Sequence, residues 1–119
     1  MLAGLPVVIV TELVQENPYP EHSFVCGVPI NPAVLRRANI EHADWIFIFA
    51  NMRFVDPDIK TIHVAARVME HNEKARVFVE LVGKDSSLVS LLPRPAVTMD
   101  SRRLLETVLK GEPLDPGSW

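Results

Sequence analysis

The sequence predicts an α/β protein, an open parallel β-sheet with helices flanking it. Three observations carry that prediction. Five short runs, at 5–11 (LPVVIVT), 23–27 (SFVCG), 45–50 (WIFIFA), 76–82 (RVFVELV) and 95–99 (PAVTM), are rich in apolar, β-branched and aromatic residues. Most of them do not alternate apolar with polar, which is how strands covered on both faces read. Between them lie segments of helical period, so strand and helix alternate from residue 23 to residue 110. Parallel strands joined in this way require right-handed crossovers.

The elements follow in order. After the first run, ELVQENPYPEH (12–22) holds two prolines and no helical period, so the first crossover is a loop or a single turn. Asn31-Pro32 opens the first helix, with Asn as cap and Pro at the first helical position, and with Val34, Leu35 and Ala38 on one side. Asp56-Pro57 is expected to open the second helix in the same way. Its apolar residues Ile59, Ile62, Ala65, Ala66 and Met69 recur at three- and four-residue spacing. Asp85 and Ser86 cap a short third helix carrying Leu88, Leu91 and Leu92. Asp100-Ser101 caps a fourth, with Leu104, Leu105, Val108 and Leu109 before a stop at Gly111. Residues 5–110 thus form one domain, and 111–119 an irregular tail.

Composition narrows the function classes. At 119 residues, 48% hydrophobic and 23% charged, the chain fits a single core in a soluble protein. No apolar run approaches the roughly 20 residues that span a bilayer, so no membrane insertion by this chain is expected. MLAGLPVVIV lacks basic residues and a small-residue cleavage site, which reads against a signal peptide. The net charge of −3 is spread without basic blocks, so no nucleic-acid partner is expected. Cys26 in SFVCG reads as a small core residue, in keeping with the cytosol.

A sheet of this kind binds ligands beyond the carboxyl ends of its strands. Thr11-Glu12, Gly27-Val28, Ala50-Asn51, Glu80 and Val82-Gly83 fall there. Glu12 is a candidate for holding ribose hydroxyls, or else a solvated loop acid; Asn51 bonds a ligand or closes a turn. Asp56, Asp58 and Glu80 are weak candidates for holding a hard cation through oxygen, with no firm metal site. The five glycines, at 4, 27, 83, 111 and 117, are scattered singly, so the glycine-rich phosphate loop is absent from this chain. His22, His42, His63 and His71 make no H-x-x-x-H spacing, and no C-x-x-C occurs. No nucleophile stands beside a base, and catalysis is not expected.

GVPINPAVLRRANIEHADWIFIFAN followed by DPDIKTIHVAARVMEHNEKARVFVELV resembles the N-lobe of regulator-of-potassium-conductance domains, also called RCK or TrkA-N domains. The similarity is to the version in large-conductance, calcium-activated (BK-like) potassium channels and their prokaryotic relatives. Its marks are Gly27, Asn31-Pro32 with Leu35, Ile40, Ala43-Asp44, Ala50-Asn51, Asp56-Pro57-Asp58 and Glu80, in order over roughly residues 5 to 110. The resemblance implies a Rossmann-like sheet of strand order 3-2-1-4-5-6 that lacks its first βα unit here, because LPVVIV matches the second strand. The vacant slot would be filled by the chain's own N-terminus, by a partner, or by the rest of a longer chain.

The resemblance also implies a cytosolic regulatory domain, not an enzyme, at the inner face of the membrane. Such a domain gates a potassium channel or K⁺ transport protein by ligand-biased assembly. Its partners would be further copies of itself, as a dimer or ring, and a potassium pore. The helix at 101–110 would be the pairing element, through Leu104, Leu105, Val108 and Leu109. Covering the sheet is the other reading of that apolar face. A nucleotide or a divalent cation is the implied ligand, its identity unknown, and Ala50 and Asn51 would line its site with Glu12. Val28 stands where many nucleotide-binding members carry an acid, and Ala50-Asn51 and Val82 supply none of the acids of a calcium-sensing subgroup. Two alternatives follow: a ligand-free assembly module, and a fragment of a nucleotide-dependent oxidoreductase.

Overall fold

A computed structural model describes residues 7–17, 20, 22–83, 90–93 and 96–112, with the side chains of Ser101, Leu105 and Val108 excepted. In chain order these carry strands β1 (Val8–Thr11) and β2 (Ser23–Cys26), helix α1 (Pro32–Arg37), a single 3₁₀ turn (Ile40–His42) and β3 (Trp45–Ile48). Helix α2 (Pro57–His71), β4 (Arg76–Val79), β5 (Val97–Thr98) and α3 (Ser101–Leu109) follow. The expected third helix falls mainly on residues 84–89, outside the described residues.

Among the described residues every ladder is parallel, as the apolar runs predict. The strands form two sheets, β1-β2 and β3-β4-β5, each an open sheet. In the larger sheet Phe47 pairs with Phe78, and their rings stack at 5.3 Å. Such a cross-strand aromatic pair adds about 0.5–1.5 kcal/mol beyond its buried area. The main core gathers Ile46, Ile48, Val77, Val79, Ala65 and Val68 around this sheet, with Leu35 of α1. A second cluster joins Val25 of β2 to Val34 and Ala38, also at α1. The short helix α1 therefore contributes to both cores.

Local chemistry explains the helix starts, with one correction. Asn31 Oδ1 accepts the Ala33 N–H at 2.9 Å, and Pro32 follows it, as predicted. Asp100 Oδ1 likewise accepts the Arg102 and Arg103 N–H groups at 3.0 and 3.4 Å. Asp56 does not repeat the pattern. It is exposed and makes no side-chain cap bond, and Pro57 alone sets the entry to α2. The carboxylate that matters is Asp58, in the first turn and buried.

The buried stripe of α2 is also rotated from the apolar one read in the sequence. It runs Asp58, Thr61, Ala65 and Val68, whereas Ile59 is 52% exposed. Two polar residues can lie on it because each finds a partner; Thr61 Oγ1 donates to the Pro57 carbonyl at 3.0 Å. The strands are shorter than their apolar runs: β3 ends at Ile48 and β4 at Val79, with the Glu80 N–H still donating to the Ile48 carbonyl at 2.9 Å. Cys26 is exposed rather than a core residue, its Sγ 3.4 Å from the Val14 carbonyl oxygen. It is the end residue of β2, in the two-stranded sheet.

Gly27 and Gly111 are required by geometry. A Cβ on Gly27 would lie 2.5 Å from Cγ2 of the buried Val34, so the chain leaving β2 passes α1 too closely for any side chain. Gly111 has φ +68°, the left-handed conformation that ends α3 at the predicted place.

Candidate functional site

The carboxyl ends of β3 and β4 build a small rim out of the predicted residues. Glu80 follows β4, and its Oε1 accepts the Ala50 N–H, the second residue beyond β3, at 2.9 Å. Asn51 Oδ1 accepts the Arg53 N–H at 3.0 Å, and the Asn51 carbonyl accepts the Phe54 N–H at 3.2 Å. These bonds fold residues 51–54 into a tight turn. Ala50, Asn51 and Glu80 are therefore neighbours, held by one carboxylate–backbone link between two strands that already pair.

A second link closes the rim from the helix side. Asp58 is 8% exposed, and its two oxygens accept the Val82 N–H at 2.7 Å and the Gly83 N–H at 2.8 Å. The carboxylate sits at the start of α2, where the helix dipole favours negative charge. It fastens the loop after β4 to that helix start. This was not legible as a role in the sequence, because an acid after Asp-Pro reads as helix-start chemistry. The other signal was Val82-Gly83 itself, two backbone donors leaving a strand and in need of an acceptor.

The predicted cation candidates divide accordingly. Asp58 and Glu80 hold backbone N–H groups, and Asp56 is exposed. Among the described residues no group of three or more His, Cys, Asp or Glu is placed to hold a metal ion. Glu12 lies at the end of β1, in the other sheet, and is exposed; beside it Thr11 Oγ1 accepts the Leu13 N–H at 3.0 Å. Glu12 and the Ala50–Glu80 rim therefore sit on different sheets.

The rim is bordered by apolar side chains facing water. Phe49, Met52, Val55 and Val82 are exposed, Val55 almost wholly at 97%. Lys60 Nζ stands 5.1 Å from the Phe54 ring centre, a cation–π contact across the turn. Of the expected pairing residues on α3, Leu104 is half-buried and Leu109 is 76% exposed. Leu105 and Val108 lie outside the described side chains.

A structural residue also escaped the sequence reading. Asn72, buried at the end of α2, donates through Nδ2 to the Ile40 and Ala43 carbonyls at 2.9 and 2.8 Å. Its Oδ1 accepts the Lys74 and Ala75 N–H groups at 3.0 Å each. All four bonding positions of the amide are used, which locks the 3₁₀ turn, α2 and the entry to β4 together.

No protein-family profile and no curated protein sequence matches the chain. Among solved structures it is similar to the TrkA-N domain of the inner membrane protein ybaL from Escherichia coli, with a TM-score of 0.54 and 17% sequence identity. The similarity covers 76% of this chain and 64% of that one, so the chain spans just under two thirds of the structure it matches. The likeness is one of fold: parallel strands with flanking helices, in the Rossmann-like arrangement of a TrkA-N domain. Among the described residues no helix is long and apolar enough to cross a membrane.

Proposed function

We propose that this chain is a cytosolic regulatory domain of a potassium channel or K⁺ transport protein, of the kind found in BK-like channels and their prokaryotic relatives. It acts by ligand-biased assembly and not by catalysis. The single observation behind the reading is the TrkA-N fold likeness. A ligand at the rim formed by Ala50, Asn51 and Glu80 would stabilise one arrangement of paired copies, and the shift in population would be passed to the pore. Leu109, exposed on α3, supplies apolar surface for pairing.

A specific observation favours a second reading, an assembly module without a ligand. Asp58 and Glu80 are engaged by backbone N–H groups, and so have less to offer an ion or a ribose. Thermal denaturation with NAD, NADH, ADP, ATP, Ca²⁺ and Mg²⁺ separates the two readings. A ligand at one hundred times its Kd adds about 2.7 kcal/mol to the native state and raises Tm. A rise with one of these that is lost in Asn51→Ala supports the sensing domain. No rise with any of them supports the assembly module.

A further inference from the structure

The turn that joins β3 to α2 holds its apolar side chains in water. Residues 52–56 are all exposed, and three of these five, Met52, Phe54 and Val55, are large and apolar. Val55, at 97%, is covered by nothing among the described residues, and Met52 is 69% exposed. Ile59 in the first turn of α2 is exposed as well, and so is Val82, whose N–H is tied to Asp58 in that same helical turn. Asn51 fixes the chain here by accepting the Arg53 and Phe54 N–H groups, so these side chains stand on a defined turn. Single exposed apolar residues are ordinary, but a cluster on one fixed turn marks an interaction surface.

The charges around the turn are uneven. Arg53 and Lys60 are exposed, and the cation–π contact of Lys60 with Phe54 sets its ammonium beside the apolar tip. Of the acids, Asp58 and Glu80 are turned to backbone N–H groups, which leaves Asp56 as the exposed one. Further along α2, Arg67 is answered by Glu70 at 3.2 Å. The turn thus carries an excess of exposed positive charge on a chain of net charge −3. Its shape narrows the occupant further. A tight turn with its tip in water on nearly all sides suits a phase that deforms around it better than a rigid matching face. A second copy laid against it would set Arg53 and Lys60 near the same two cations, with one Asp56 from each copy to answer them.

We propose that the Met52–Val55 turn docks on an anionic lipid bilayer. Met52, Phe54 and Val55 enter the boundary between headgroups and acyl chains, while Arg53 and Lys60 meet the anionic headgroups. Apolar side chains gain at that boundary by leaving water. Each basic side chain close to an anionic surface strengthens binding by about fivefold. Arg and Lys serve both parts of the contact, because their stems lie along apolar surface while the charged ends stay at headgroup level. The contact is peripheral, in keeping with the absence among the described residues of a helix long and apolar enough to cross a membrane. It depends neither on the ligand of the domain nor on pairing through α3.

Flotation of the 119-residue chain with lipid vesicles tests it. The chain binds vesicles of phosphatidylcholine and phosphatidylserine, and binds about tenfold more weakly to phosphatidylcholine alone or in high salt. Val55→Asp and Met52→Asp each weaken binding to the mixed vesicles by about tenfold or more. Both positions are exposed, so Tm stays nearly unchanged. Asp56 makes no cap bond, so Asp56→Asn keeps α2 and strengthens binding by about fivefold, a gain that damage to the fold does not produce. Leu109→Asp, on α3, leaves binding unchanged and separates this turn from general adhesion. The proposal is overturned by a chain that does not float with the mixed vesicles, or that binds phosphatidylcholine alone equally well. Val55→Asp no weaker than Leu109→Asp overturns it, as does Asp56→Asn with unaltered affinity. So does a Val55→Asp chain that loses self-association in sedimentation but still floats, since a second copy is then the occupant. Flotation and sedimentation are separate readouts, so the bilayer contact and the assembly reading fail separately.

Discussion

Replacing Asp58 with alanine isolates the link that holds the rim together. Its two oxygens accept the Val82 and Gly83 N–H groups at 2.7 and 2.8 Å, with the residue 8% exposed. Hydrogen bonds to a charged group contribute about 1.5–3 kcal/mol each, and an acid in the first helical turn adds about 0.3–1 kcal/mol. Val82 and Gly83 are exposed, so water recovers their N–H groups once the carboxylate is gone. The lower end of the range applies, and Asp58→Ala should cost about 3 kcal/mol. For a domain near this size each kcal/mol moves Tm by about 4–8 °C, so a fall of about 12–24 °C is expected. Asp58→Asn keeps one acceptor and should lose about half as much. Urea denaturation followed by far-UV circular dichroism measures the stability. Exchange at the Val82 and Gly83 amides reports the link itself, and should rise in both variants. A loss below about 0.5 kcal/mol, or unchanged exchange at those two amides, would refute the reasoning.

The remaining predictions are read by the same methods. Gly27→Ala forces Val34 to move from a 2.5 Å overlap, and should destabilise by about 1–3 kcal/mol in urea denaturation. Asn72→Ala strands two carbonyls and two N–H groups, so a loss of about 2–4 kcal/mol is expected, with faster exchange at Ala75. Asn31→Ala removes the α1 cap and should cost about 1 kcal/mol, while Asn31→Gly costs only a few tenths. Leu109→Glu places a charge on the exposed apolar end of α3, and in light scattering should weaken self-association without lowering Tm.

The parts of the fold legible in the sequence are those that depend on local chemistry. Asn31-Pro32 and Asp100-Ser101 announce their helices because an Asx oxygen and the next N–H groups are neighbours in the chain. WIFI and RVFV announce a parallel pair by their unbroken apolar runs; β4 is buried on both faces at Val77, Phe78 and Val79, while β3 buries Ile46 and Ile48 and half-buries Trp45 and Phe47. What was hidden depends on partners distant in sequence. Asp56 and Asp58 look alike as acids flanking a proline, and only the position of Val82-Gly83, 24 and 25 residues further on, separates the exposed one from the buried one. Asn72 reads as a helix end until Ile40 and Ala43 arrive beneath it. Cys26 reads as core because SFVCG is apolar, but it ends β2 in the two-stranded sheet and is exposed. Of the site, the position at the strand ends was legible, because topology alone puts Ala50, Asn51 and Glu80 there. That Glu80 bonds Ala50 was not.

The proposal that this domain works by ligand-biased assembly is tested most directly by sedimentation velocity across a range of concentrations, with and without each nucleotide and divalent cation. The chain should associate reversibly, and one ligand should change the association constant by about tenfold, a coupling of about 1.4 kcal/mol. A chain that stays monomeric at every concentration, with every ligand, would contradict it.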